Sequence, residues 1–381
     1  MRPPSQTFQQ VIRIRDGTPL LNSCGQSINY LVSERPTGDG VGDQIEHEAR
    51  SLRQLGFVVK RLQIKRRRGG SLVTAFIAVG LGLRLMRRRD LIYARAGITS
   101  LIALVPSVML GRPTVIVLNG FLRPRGGNTK RPTIALRLLR LCCRRQNVVL
   151  VGDRPWVAYA ASLGIGAAER RFSLPLWCSP PRCSEEGQSP RRVVTYAGSD
   201  QPWQGVDILV QSFLDLRPPD WVLELAGPPS LQRYEDRSGC VRWTGMFDAD
   251  SVQLGDLLWS SSVLATSYIS SRNENLPISA LKTIQFLQTD RAVLVSTQDE
   301  VINAFKDTSL ESLGIFTYDS STPDSIKAAL ARAINCADSR SCYDDALRRD
   351  LLHVRHSPQA QLTALQRALD YFPSPSQRVV D

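Results

Sequence analysis

Short apolar runs rich in β-branched residues alternate with longer amphipathic segments along most of the chain, and that alternation predicts a parallel sheet covered by helices. In the first half strands are expected at 28–32, 57–64, 91–94, 114–118 and 148–151. Residues 41–55 put Ile45, Ala49, Leu52 and Leu55 on one helical stripe, and Gly56 follows where a C-cap would fall. A second series predicts strands at 193–197, 221–226, 241–244, 263–266 and 292–295, with helices at 206–216, 249–260 and 277–288. One more amphipathic helix, 357–371, opens on a Ser-Pro pair suited to its first turn.

Between the two series, 183–190 reads CSEEGQSP, which is small, polar and proline-containing and buries little. The expected class is therefore α/β, with two Rossmann-like domains facing a cleft and ligand at the carboxyl ends of the strands. The expected parts are an N-terminal extension (1–26), a first domain (27–183), a linker (184–190), a second domain (191–355), and a helix and tail (356–381) able to return to the first domain.

Composition excludes some classes: 381 residues with 43% apolar and 22% charged side chains are globular usage, not a disulfide mini-scaffold, a disordered chain or a multi-span membrane protein. Charge is uneven. Of the 48 Lys and Arg and 35 Asp and Glu, 30 basic and 11 acidic residues lie at or before Pro190, ahead of the second series. A half that basic seeks an anionic membrane, nucleic acid or a polyanionic substrate. KRLQIKRRR (60–68) has six cations in nine residues, including Lys65, Arg66, Arg67 and Arg68. The apolar helix at 72–85 follows, closed by Arg84, Arg87, Arg88 and Arg89, so these cations are candidate membrane contacts. A core helix with a solvated basic end fits the same residues. The longest apolar run, 72–83, is about twelve residues, against roughly 20 needed to span a bilayer. Eight cysteines lack C-x-x-C or zinc spacing, and the first ten residues lack an apolar secretory segment. The expected location is cytoplasmic, peripheral on the inner face of the membrane.

After the first strand GDGVGDQ (38–44) leads into a helix, and Gly40 and Gly42 leave room for an anion at its N-terminus. The spacing is not the dinucleotide fingerprint G-x-G-x-x-G. His47 is expected to point sideways to solvent, and His353 and His356 to lie on the surface. No Ser/His/Asp relay assembles, no acidic cluster calls for a metal, and no cofactor is implied.

YAGSDQPWQGVDILVQSF (196–213), WVLELAGPP (221–229), VRWTGMF (241–247) and ENLPISALKTIQFLQTDRAVLVS (274–296) follow in that order. Together they resemble the nucleotide-binding domain of family 4 retaining glycosyltransferases of the GT-B fold. GDGVGDQIEHEARSLRQLGFVV and TVIVLNG are similar to that family's N-terminal loop, helix and later strand, so the likeness covers nearly the whole chain. It implies a hexosyltransferase-like enzyme that moves a sugar from a nucleotide-sugar to a glycan or lipid-linked acceptor with retention, in cell-surface polysaccharide assembly. It also implies a donor site at Gly198, Ser199, Gln204, Gly245, Asn275, Leu276, Pro277, Ser279 and Gln285, and catalytic roles for Glu274 and Lys282. Lys282 matches the lysine of an S-P-x-K-x-x-E variant, although a solvated helix lysine fits as well. Asn119, standing where the family often has histidine, and Gly120 mark the acceptor side.

The departures are chemical. Ser199 and Gln204 replace the arginine and lysine that grip the donor pyrophosphate, Gln285 replaces the last glutamate of E-x7-E, and Pro277 falls on the first, three residues after Glu274. LWCS (176–179) stands where N-G-V-D is usual. These losses motivate an alternative, a catalytically inactive relative acting as a binding or scaffold protein. A second alternative is nucleic-acid binding through the basic half, which no aromatic-interleaved basic strand supports.

Overall fold

The computed structural model describes residues 26–32, 40–63, 71–86, 90–118, 133–143, 147–152, 154–184, 190–248, 251–269, 281–339 and 343–372. Two six-stranded sheets carry the architecture, and every pairing in them is parallel. The first holds β1 (Ser27–Val32), β2 (Val58–Gln63), β3 (Leu91–Arg95), β4 (Thr114–Val117), β5 (Val148–Val151) and β6 (Arg171–Ser173), in the order β2-β1-β3-β4-β5-β6. The second holds β7 (Arg191–Ala197), β8 (Val222–Ala226), β9 (Val241–Gly245), β10 (Ser261–Ala265), β11 (Ala292–Ser296) and β12 (Ile315–Tyr318), in the order β12-β11-β10-β7-β8-β9.

Alternate strand residues enter opposite cores, as the pleat requires. In the first sheet Leu31, Ile92, Ala94, Ile116 and Val149 pack under α2 (Ser71–Met86), α3 (Ile98–Met109), α4 (Thr133–Cys142) and α5 (Arg154–Ser162). Tyr30, Val32, Tyr93, Val115 and Val117 face the other way, toward Ile45, Ala49 and Leu52 of α1 (Gly40–Gln54). The second sheet is likewise covered by α6 (Val206–Leu216) and α9 (Pro323–Asp338) on one face. Its other face packs α7 (Val252–Ser260), α8 (Leu281–Leu287) and α10 (Asp345–Arg355).

The chain passes between the cores twice. Leu174 belongs to the first core, whereas Leu176 and Cys178 belong to the second. The next residues stay there: Trp259 Nε1 donates to the Pro181 carbonyl at 3.1 Å, and Ser184 N–H to Asp256 at 2.7 Å. The described part of the 184–190 linker thus lies after the passage. On return, Leu352 packs in the second core, and Leu365, Ala368 and Leu369 of α11 (Pro358–Leu369) pack in the first.

The two passages touch, and they revise two histidines. His356 is 1% exposed rather than on the surface, with Nδ1 3.0 Å from the Leu176 carbonyl. His47 is buried rather than solvated, because Trp177 from the first passage lies edge-on to it with ring centroids 3.9 Å apart. His353 is exposed, as expected. Among the described residues no helix is long and apolar enough to cross a membrane.

Candidate functional site

In an open parallel sheet the ligand crevice lies beyond the strand C-termini where the winding direction reverses. In the second sheet that point falls between β7 and β10, because β7 continues to β8 on one side and pairs with β10 on the other. The loops leaving these strands are stitched together. Ile269 N–H donates to the Trp203 carbonyl at 2.9 Å, and Ser267 Oγ to the Gly205 carbonyl at 2.9 Å. Tyr268, between those bonds, packs against Trp203.

Lys282, on α8, projects to this reversal. Its Nζ lies 4.4 Å from the Tyr196 ring centroid and 5.0 Å from that of Tyr268, both within cation–π range. It also donates to the Tyr196 hydroxyl at 3.4 Å. Burial, chiefly, holds the Tyr196 phenol well above its ordinary pKa, so the hydroxyl stays neutral beside the ammonium.

The β7 loop completes the wall. The Tyr196 hydroxyl has the Ser199 carbonyl at 2.7 Å and Gln204 Oε1 at 2.8 Å as acceptors, and Ser199 Oγ donates to Gln204 Oε1 at 2.9 Å. Ser199 and Gln204, the neutral occupants of the positions expected to be cationic, are therefore bonded to each other and to Tyr196. Positive charge reaches the loop from elsewhere. Lys282 Nζ is 3.1 Å from the point where a Gly198 Cβ would stand.

Strand ends β7, β8 and β9 meet in a close main-chain array. Gly198 N–H donates to the Ala226 carbonyl at 2.9 Å, and Gly227 N–H to the Gly245 carbonyl at 2.8 Å. Trp243 Nε1 adds a bond to the Gly227 carbonyl at 3.0 Å. Gly227 permits the approach, since a Cβ there would lie 2.1 Å from the Gly198 carbonyl oxygen.

The structure brings Gly198, Ser199, Gln204 and Lys282 together, with Gly245 two strands away. Gln285 lies one turn beyond Lys282 on α8, half-buried. In the first sheet α1 begins at Gly40 and includes Gly42. Glu274, Asn275, Leu276, Pro277 and Ser279 lie outside the described residues, as do Asn119, Gly120, Lys65, Arg66, Arg67, Arg68, Arg87, Arg88 and Arg89. Among the described residues no three His, Cys, Asp or Glu side chains form a group able to hold a metal ion.

Sequence reasoning missed Tyr268 and the pair Asp200 and Arg233. Tyr268 follows a strand end, the one signal that pointed to it. Asp200 continues the β7 loop, and Arg233 comes from the 3-10 helix Pro229–Tyr234 after β8, with no motif marking it.

No protein-family model matches the chain, and no curated protein is recognisably similar in sequence. Solved structures are similar in fold. A glycosyltransferase from Rickettsia africae has a TM-score of 0.66 at 10% identity, covering 91% of this chain and 98% of that one. Anabaena Alr3699/HepE, crystallised with UDP and glucose, gives 0.64 at 16% identity, over 91% and 99% of the two chains. The catalytic domain of starch synthase IV from Arabidopsis thaliana, bound to ADP and acarbose, gives 0.66 at 11%, over 91% and 99%. At such identities the likeness establishes the fold, two Rossmann-like domains in the GT-B arrangement.

Proposed function

We propose that this chain is a glycosyltransferase, taking a sugar from a nucleotide-sugar whose diphosphate sits at the sheet reversal between β7 and β10. The observation that carries the reading is Lys282, a cation held between Tyr196 and Tyr268 where an open α/β sheet receives its ligand. Solved proteins of the same fold bind UDP and ADP, which supports it.

In the transfer we propose, the bond from the sugar's anomeric carbon to the leaving phosphate oxygen breaks. The bond to the acceptor oxygen forms on the same face, and the acceptor proton passes to the departing phosphate. Such chemistry asks the protein for positioning and charge stabilisation. Lys282 meets the growing negative charge, and the main-chain N–H groups at the start of α1 offer a second anion-stabilising end. The motif order in the sequence supports retention and a hexosyl donor. A lipid-linked or glycan acceptor in cell-surface polysaccharide assembly, reached from the inner membrane face, is supported by the apolar outer face of α2, where Phe76 is 75% and Leu83 49% exposed.

Calorimetric titration of UDP, GDP and ADP into the wild type and Lys282→Ala tests the reading. One diphosphate is expected to bind, and the substitution to weaken it about tenfold or more. Failure of all three to bind would leave the binding or scaffold alternative. If a donor turns over, the anomeric configuration of the product, read by NMR, decides retention.

A further inference from the structure

We propose that Arg233 is a second diphosphate-binding residue, delivered to the β7 loop from the neighbouring strand in place of the cation missing at Ser199. The inference rests on the nucleoside-diphosphate reading above and adds a residue to its site. Its basis is the way Arg233 is held. Nη2 donates to Asp200 Oδ1 at 3.2 Å and to the Tyr234 hydroxyl at 2.8 Å, and Nη1 lies in ion-pair contact with Asp200 Oδ2 at 3.1 Å. The Tyr234 ring lies beneath the guanidinium, 4.7 Å away. A freely solvated arginine would have no such arrangement.

Exposure separates the two partners. The Asp200 side chain is 7% exposed and that of Arg233 is 59% exposed. The carboxylate is thus a fixed anchor inside the loop, and the guanidinium is its outward-facing end. Nη2 uses its two N–H groups on Asp200 and Tyr234, so the N–H groups of Nη1 and Nε are the ones left to a ligand. N–H groups on two nitrogens of one planar cation can meet phosphate oxygens from more than one direction, which a lysine's point charge does not specify.

Position adds the rest. Asp200 is two residues from Gly198, whose missing side chain leaves space beside Lys282 Nζ. Arg233 lies one residue before the end of the 3-10 helix Pro229–Tyr234, which follows Gly227, whose main chain touches Gly198. Lys282 and Arg233 therefore reach one loop, Lys282 from α8 and Arg233 from the β8 side. Two cations thus border the loop from opposite sides, where Ser199 and Gln204 carry none, with Asp200 and, further off, Asp207 as the carboxylates that Arg233 feels. The bland account, a surface ion pair contributing little, explains neither the buried carboxylate nor the tyrosine beneath the cation.

The test uses the full chain, with UDP, GDP and ADP and the matching monophosphates as calorimetric probes on wild type, Arg233→Ala and Arg233→Lys. For the diphosphate that the wild type binds, Arg233→Ala should weaken affinity about tenfold to a hundredfold, with less than about threefold change for its monophosphate. Arg233→Lys should recover part of the loss, with the thermal midpoint unchanged. Equal diphosphate affinity in wild type and Arg233→Ala overturns the proposal alone, as does a loss shared equally by mono- and diphosphate. Should the wild type bind no diphosphate, the nucleotide reading falls and this proposal falls with it.

Discussion

Lys282 and Gly198 occupy complementary space: a Cβ on the glycine would stand 3.1 Å from the lysine Nζ and 3.0 Å from the Tyr196 hydroxyl. The lysine is a flexible end that can yield, whereas the Tyr196 ring is buried and bonded, so the adjustment falls on Lys282 and Gly198→Ala should fold with a thermal midpoint within a few degrees of wild type. The ammonium, however, must move off its place against Tyr196. Diphosphate affinity should fall about three- to tenfold, and Gly198→Val should lose more. Calorimetry beside thermal melts checks both halves, and unchanged binding in Gly198→Val would remove Lys282 from the diphosphate site.

Gly227 makes the opposite kind of contact. The atom a new Cβ would meet at 2.1 Å is the main-chain oxygen of Gly198, which cannot swing aside. Gly227→Ala must therefore part the ends of β7 and β8, at a cost of about 1–3 kcal/mol in stability. Binding should fall further than in Gly198→Ala, because the whole loop carrying Ser199 and Asp200 is displaced. Chemical unfolding and nucleotide titration of the same preparation measure the two effects.

How far the sequence disclosed the fold follows from where the signal lay. Strands such as β5 and β11 are continuous apolar runs buried on both faces, and their residues alone predict them. Strand β6 is Arg171–Ser173, three half-buried residues at a sheet edge, with no apolar run to detect. Lys282 was visible through its motif, but its place between Tyr196 and Tyr268 depends on a sheet order that no local pattern encodes. Asp200 and Arg233 are 33 positions apart, and the burial of His47 depends on Trp177, far away in the chain. Such contacts exist only after β7 and β8 pair, or after the chain has crossed between cores.

Arg348 tests the packing of α10. It is fully buried, and its guanidinium donates to the carbonyls of Arg291 at 2.9 Å, Leu313 at 3.0 Å and Thr289. No carboxylate among the described residues forms an ion pair with it, and burial lowers its pKa to about 10, still charged at neutral pH. Arg348→Ala would leave three carbonyls without this donor, so a loss of about 3–5 kcal/mol is expected in chemical unfolding. Restoring volume without donors, as in Arg348→Met, should recover only the packing part.

Acid should destabilise the protein through His47. Burial first, and the nearby Arg50 charge second, lower its pKa from 6.5 to about 4. The unfolded chain binds a proton at this residue below about pH 6.5, whereas the folded chain resists doing so until about pH 4. Its contribution is therefore complete above pH 6.5 and is lost as pH falls toward 4. Thermal midpoints measured from pH 7 to pH 4 should drop less steeply in His47→Phe than in wild type. Parallel curves would mean that Trp177 leaves the imidazole open to water.

The outer face of α2 should bind anionic lipid. Phe76, Ile77, Val79 and Leu83 are 75%, 42%, 40% and 49% exposed, while Ala78 and Leu85 on the same helix are buried in the core. Arg84 is exposed beside them, and the sequence flanks the helix with basic runs on both sides. Apolar side chains among acyl chains and cations among phosphates give an interfacial contact of the expected polarity. The full chain should sediment with vesicles containing phosphatidylglycerol and much less with phosphatidylcholine alone. Phe76→Ser with Leu83→Ser should reduce that binding about tenfold or more, with little change in thermal midpoint because neither side chain belongs to the core. Equal sedimentation of the double variant, or a wild-type dimer that the substitutions split, would assign this face elsewhere.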